Sequence, residues 1–231
     1  MKNFPLCLFA LLCAATLYAQ DDGLPVRYLT AAGEYSPLYT GKMPLPYAAY
    51  FTNYPYLKTA GFTAGELSFG GIAYTGVRMR LDVYRDRLLA VPEAGGYEVI
   101  LPQEQVGHAL LHGYHIFYHR ADSLENCPPE GYYLLLHDAG CRALARVTCS
   151  MREVSKDGET TGWFRFATRY YVLKDGVYHA VGSKGSVLKV FASHRRELSR
   201  FISERRLNFR RNTEEAIVSV VKQYELLNAG L

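Results

Sequence analysis

After its first twenty residues this sequence has no apolar run long enough to cross a bilayer as a helix. It also lacks the short signatures of several chemistries. There is no Gly-x-Ser-x-Gly elbow, no HExxH, no glycine loop of the kind that cradles phosphate and no CxxC. Strands do not alternate with helices, which argues against a parallel nucleotide-binding sheet. The acids Asp82, Asp86 and Glu98 are scattered, whereas a glycosidase needs two carboxylates at a set separation in space. Charge of one sign is scarce overall: 26 Lys and Arg against 22 Asp and Glu leave +4, too little to imply nucleic acid. No cofactor is expected.

Cysteine is sparse as well, with five in 231 residues. Cys7 and Cys13 fall in a segment that has the layout of a secretory signal peptide. Lys2 precedes an apolar run from Phe4 to Leu17, and small residues end at Ala19. Cleavage after Ala19 is expected, with a retained anchor as the alternative. Cys127, Cys141 and Cys149 then remain, an odd number for an exported chain. Cys141 and Cys149 lie on one strand, about 26 Å apart if it is straight, and cannot bridge. A hairpin turning at Asp138-Ala139-Gly140 brings Cys149 toward residue 130. This leaves two readings open: a Cys127–Cys149 disulfide, or three buried thiols that act as small hydrophobes.

What is present is globular: 49% hydrophobic, 13% aromatic and 21% charged. Residues 20–63 form a Tyr- and Pro-rich arm, in which seven tyrosines lie between Tyr28 and Tyr56 and five prolines forbid long helices. Tyr47, Tyr54 and Tyr56 are candidates for a ligand or partner groove, since tyrosine offers a flat apolar body and a polar tip. The plainer reading is an arm that wraps the domain and covers its core.

Residues 64–181 read as an antiparallel β domain. Val77 to Tyr84 alternates apolar and polar, and Gly70-Gly71, Asp157-Gly158 and Asp175-Gly176 mark turns. The strand spacing suggests a sandwich or open barrel. Residues 182–231 read as about three helices, at 185–191, at 194–206 capped by Ser193, and after Asn212, which forms a capping box with Glu215. Their apolar stripes should dock on the sheet. The whole is therefore an α+β chain, mainly antiparallel β, with a C-terminal helical subdomain.

Gly65 to Val91, with GGIAYTG followed by LDVYRDRL, and Tyr170 to Leu227 together resemble a family of exported cell-envelope proteins of unknown function from Gram-negative (Bacteroidota-like) bacteria. Asn53-Tyr54-Pro55-Tyr56 resembles an upstream His-Pro-Tyr element of the same family. The resemblance implies export and a shared scaffold, with a periplasmic or outer-membrane-associated location. It brings no catalytic residues to carry over.

Three constellations could carry function. His108, His112, His115 and His119 would share one face of a helix, but Gly107, Gly113 and the β-forming run Tyr114–His119 favour a strand. On a strand His115 and His119 are about 13 Å apart, so no metal site is expected. Trp163 could stack on a sugar, but its apolar strand points to the core. Residues 184–211 hold nine Lys or Arg and two acids. Arg195, Arg196, Arg200, Arg205, Arg206, Arg210 and Arg211 are candidates for an anionic partner, because guanidinium grips phosphate or carboxylate with two parallel bonds. The plainer reading is a solvated helix face paired with acids of its own domain. The expected function is a non-catalytic binding or scaffold protein that contacts an envelope protein, an anionic glycan or a lipid headgroup. The alternative is a periplasmic hydrolase acting on envelope polymers.

Overall fold

The computed structural model describes residues 36–230. The expected leader and the start of the arm lie outside them.

Ten strands form one antiparallel sheet: β1 (Thr63–Phe69), β2 (Ile72–Asp82), β3 (Arg87–Val91), β4 (Val99–Ile100), β5 (Val106–Leu111), β6 (Tyr114–His119), β7 (Gly131–Asp138), β8 (Arg142–Lys156), β9 (Glu159–Lys174) and β10 (Val177–Val181). Their spatial order is β10-β9-β8-β7-β6-β5-β1-β2-β3-β4, a meander interrupted once where β5 returns to pair with β1. The tight hairpins are set by local chemistry. Gly70-Gly71, His112-Gly113, Asp157-Gly158 and Asp175-Gly176 all take positive φ at both positions. That is the two-residue turn whose twist matches the flanking strands.

β5 was not expected from the sequence. Gly107 and His108 break its apolar run, yet Ala109 and Leu111 point into the core while His108 lies on the opposite face. The run Val77–Tyr84, read as one strand, covers the second half of β2, which starts at Ile72 and ends at Asp82, and β8 and β9 extend well past their apolar parts as an exposed hairpin tip over residues 150–161.

The sheet curls. Asp86, in the β2–β3 turn, accepts bonds from the Tyr132 N–H (3.1 Å) and the Arg146 guanidinium (3.4 Å), on β7 and β8. β3 and β8 are six places apart in the sheet, so a flat sheet would hold them about 28 Å apart. The architecture is therefore one open, curled sheet rather than two stacked ones. Its inner face holds Leu67, Met79, Leu81, Leu88, Ile116 and Leu134, all buried. Leu38, in a 3-10 turn (Pro37–Tyr39), and Leu57 of the arm are buried in the same cluster.

The helices follow: α1 (Lys184–Val190), a 3-10 turn (Ala192–His194), α2 (Arg195–Glu204) and α3 (Thr213–Ala229). Val187, Leu198, Ile202, Ile217, Val220 and Val221 pack on Ala143, Val172 and Val181 of β8–β10. Ala143 is fully buried beneath the helices, and Phe191 stacks on Tyr224 at 4.3 Å. Two expected caps differ. Ser193 lies within the 3-10 turn, so the N-cap of α2 is His194, which makes no side-chain cap bond. Asn212 precedes α3, but its amide meets the Glu215 side chain (3.2 Å) and not the helix backbone. The full capping box is instead at α1, between Ser183 and Ser186. Glu225 of α3 ties the helices to the β7–β8 turn, bonding His137 and the Cys141 N–H at 2.7 Å each.

Candidate functional site

The seven arginines Arg195, Arg196, Arg200, Arg205, Arg206, Arg210 and Arg211 are all exposed. They occupy α2 and the connection to α3. Leu198 and Ile202 anchor α2 by its apolar face, which leaves Arg196 and Arg200, one turn apart, on the solvent side. The backbone beneath them is fixed. The chain leaves α2 through Arg206 at φ 52°, with the Leu207 N–H bonded to the Ile202 carbonyl at 3.0 Å. Asn208 then accepts the N–H groups of Arg210 (2.9 Å) and Arg211 (3.1 Å), folding the loop into a tight turn. Ion pairs of the described residues join Arg80–Glu98, His137–Glu225, Arg142–Asp138, Arg146–Asp86 and Lys174–Asp175. None of them involves these seven guanidinium groups. The expectation that the basic face pairs with acids of its own domain finds no partner among the described residues.

The arm tyrosines divide. Tyr47 is a clip: its hydroxyl donates to the buried Asp82 at 2.7 Å, and its ring meets Phe51, Tyr56, Tyr84 and Phe164 edge-on. The Tyr47 hydroxyl is held far above its ordinary range, first by burial and then by its bond to Asp82. Tyr56 lies under the Arg80 guanidinium at 3.8 Å. Both are spent on holding the arm to the sheet. Tyr54 is 61% exposed. Trp163, expected in the core, stands on the outer face of the β8–β9 hairpin opposite Arg152 and is 38% exposed. Strand alternation gives the inward place to Phe164, which stacks on Phe51 at 4.6 Å.

Cys127 and Cys149 do not form the expected bridge, and all three described thiols are free. Extended along its register, the β7–β8 ladder does bring Cys149 opposite residue 130. The faces differ. Cys149 packs with the inner core, where burial pushes its thiol up to about 12. Cys127 lies beyond the outer face, with Sγ 3.4 Å from His119 Nε2. The sheet itself separates the two sulfurs. Cys141 packs beneath the helices, its thiol raised to about 11 by burial and then by Glu225.

Cys127 belongs to a grouping that the sequence reading passed over. His119 ends β6 on the outer face, buried edge-on against Tyr133 (5.3 Å) and Tyr178 (5.8 Å). Asp122 accepts the Leu124 N–H (3.0 Å) and the Tyr178 hydroxyl (3.1 Å). Asn126, at φ 56°, turns the chain back so that the Cys127 sulfur meets His119 and the Asp122 N–H, each at 3.4 Å. Desolvation raises the Asp122 carboxyl. The Leu124 N–H, Cys127, Tyr178 and nearby His119 outweigh it and leave the group below its ordinary value. Burial and the bond to Asp122 push the Tyr178 hydroxyl up to about 12, so it remains a donor. The spacing His-x-x-Asp-x-x-x-x-Cys is the grouping's signal in the sequence.

The remaining histidines scatter. His112 sits in a turn, while His108 and His115 line an outer-face cleft of about 360 Å³ with Phe117, Leu135, Asp138 and Arg142. The Asp138 carboxylate in that cleft is gripped by Arg142 through two bonds, at 2.9 and 3.1 Å.

Set against known families, curated proteins and solved structures, the chain matches none of them. Among the described residues no helix is long and apolar enough to cross a membrane.

Proposed function

We propose that this chain is an exported, non-catalytic binding protein of the cell envelope, which contacts an anionic protein face or glycan through the arginine surface of its C-terminal helices. One observation carries the reading: seven exposed guanidinium groups stand on a fixed backbone with no acid partner among the described residues. Exposed cations without partners keep their bonding capacity for carboxylate or phosphate. A backbone already held by the α2 terminus and the Asn208 turn loses little entropy on binding. Export rests on the leader-like residues 1–19.

The test is the triple variant Arg196→Glu/Arg200→Glu/Arg210→Glu, at three exposed positions. In-cell crosslinking would capture a protein partner, and retention on immobilised lipopolysaccharide would capture an anionic glycan or its phosphates. The reversal should weaken whichever capture the natural chain shows by roughly tenfold or more, about 1.4 kcal/mol, and flatten its salt dependence. Unchanged capture would make the basic face plain solvated surface.

A further inference from the structure

We infer that His119, Asp122 and Cys127 form a binding site for a tetrahedral divalent transition-metal ion, zinc by its donor chemistry, with one coordination position open to solvent. The site lies on the outer face of the sheet and is independent of the arginine surface.

Geometry comes first. The donor atoms of the three side chains all lie within 4.8 Å of one another. A tetrahedral ion with bonds of about 2.0–2.3 Å places its ligand atoms roughly 3.5 Å apart along each edge. The His119 Nε2 to Cys127 Sγ separation of 3.4 Å is such an edge. Seating an ion therefore needs only a side-chain adjustment at Asp122, the exposed member of the three.

The loop is built to hold this arrangement. Residues 120–127 do not hang free. Glu125 bridges to Val177 of β10, and its carbonyl accepts the Tyr178 N–H at 2.9 Å. Asn126 adopts a left-handed conformation that few non-glycine residues take, and this aims Cys127 back at His119. The aromatic rings of Tyr133 and Tyr178 flank the imidazole and fix its plane. Tyr178 also orients the carboxylate through its hydroxyl, the kind of outer contact that positions metal ligands.

Donor chemistry selects the ion. A thiolate with an imidazole favours zinc over magnesium or calcium, which prefer all-oxygen sites. Each oxygen of the Asp122 carboxyl has accepted one hydrogen bond and keeps a lone pair for the ion. Binding would release the Cys127 proton to solvent as the sulfur–metal bond forms. Three protein ligands leave a fourth position on the side of the exposed Asp122 and half-exposed Cys127, where water would complete the coordination.

The experiment uses the full chain, purified metal-free with its thiols reduced, and titrated with cobalt(II) and then with zinc(II). Cobalt(II) should bind one per chain with a thiolate-to-cobalt charge-transfer band and tetrahedral visible bands, and zinc should displace it. Cys127→Ser should abolish the charge-transfer band, whereas Cys141→Ser and Cys149→Ser should keep it. Tyr178→Phe keeps all three ligands and should weaken zinc roughly 10- to 100-fold. Since His119 is buried, its substitution risks the fold, and the Cys127 and Tyr178 variants carry the test. A folded, reduced chain without the band overturns the site. So does a band that survives Cys127→Ser or vanishes with Cys149→Ser.

Discussion

At Gly162 a β-carbon would stand 2.5 Å from a ring carbon of Phe51. The arm is stitched to β9 here: the Thr52 N–H reaches the Gly162 carbonyl at 2.9 Å, and the Gly162 N–H reaches the Tyr50 carbonyl at 3.1 Å. Gly162→Ala should therefore cost about 1–3 kcal/mol by forcing the Phe51 ring off its stack with Phe164. Urea denaturation of Phe51→Ala, Gly162→Ala and the double variant checks this. The alanine at 162 should cost much less once the ring is gone. His112 gives a second residue-scale expectation. It occupies the first left-handed position of the β5–β6 turn with Nε2 buried and unpartnered. Burial, and then Lys58, hold its imidazole below the ordinary 6.5, although the Leu57 backbone pulls the other way. The folded state thus resists the proton that the unfolded chain accepts. The stability tied to the neutral ring is whole above 6.5 and is lost as pH falls from there through the lowered folded value. His112→Asn keeps the left-handed turn as Asn-Gly. Its urea midpoint should fall less than the natural chain's between about pH 7 and about pH 5.

At the scale of elements, the end of α2 carries a tension between stability and function. Its terminal turn has the 6→1 bond from Leu207 to Ile202 and the 5→2 bond from Arg206 to Ser203, a motif that usually places glycine where Arg206 stands. Arg206→Gly should raise stability by roughly 0.5–1 kcal/mol, the relief of left-handed strain less the added freedom of the unfolded chain. The same variant removes one of the seven guanidinium groups and should weaken capture of the anionic partner. A thermal melt and a capture assay on one preparation separate the two effects. Elements with strong periodicity could be read directly: β6 spans the expected run Tyr114–His119, and α3 buries Ile217, Val220, Val221 and Tyr224 as its spacing requires. β5 could not, since Gly107 and His108 spoil its alternation and its pairing with β1, some forty residues back, supplies what propensity does not. Ser193 failed as a cap because a 3-10 turn took up the residues before α2.

Over the whole molecule, the β1–β5 pairing encloses β2, β3 and β4, and the remaining strands add outward as a meander. Backbone groups of β1 and β5 are flanked on both sides, while β4 is a two-residue edge and residues 150–161 are exposed. Amide hydrogen exchange should be slowest around Leu67, Ala109 and Ile116 and fastest at the β8–β9 tip. Protection at the tip equal to that of β5 would mean that something covers it in solution. The sequence by itself determined the antiparallel class, most strand and helix positions, the glycine-rich turns and the charge concentrated between Lys184 and Arg211, because each depends on residues near one another along the chain. Only the tertiary structure decided which face each side chain meets. Curling of the sheet placed Asp86 against Arg146, strand alternation set Cys149 inward and Trp163 outward, and the Asn126 turn drew Cys127 back to His119 and Asp122 on the outer face. The curl depends on pairing between distant strands, and which side of each strand is inward depends on where that closure puts the core; neither is encoded by a local pattern.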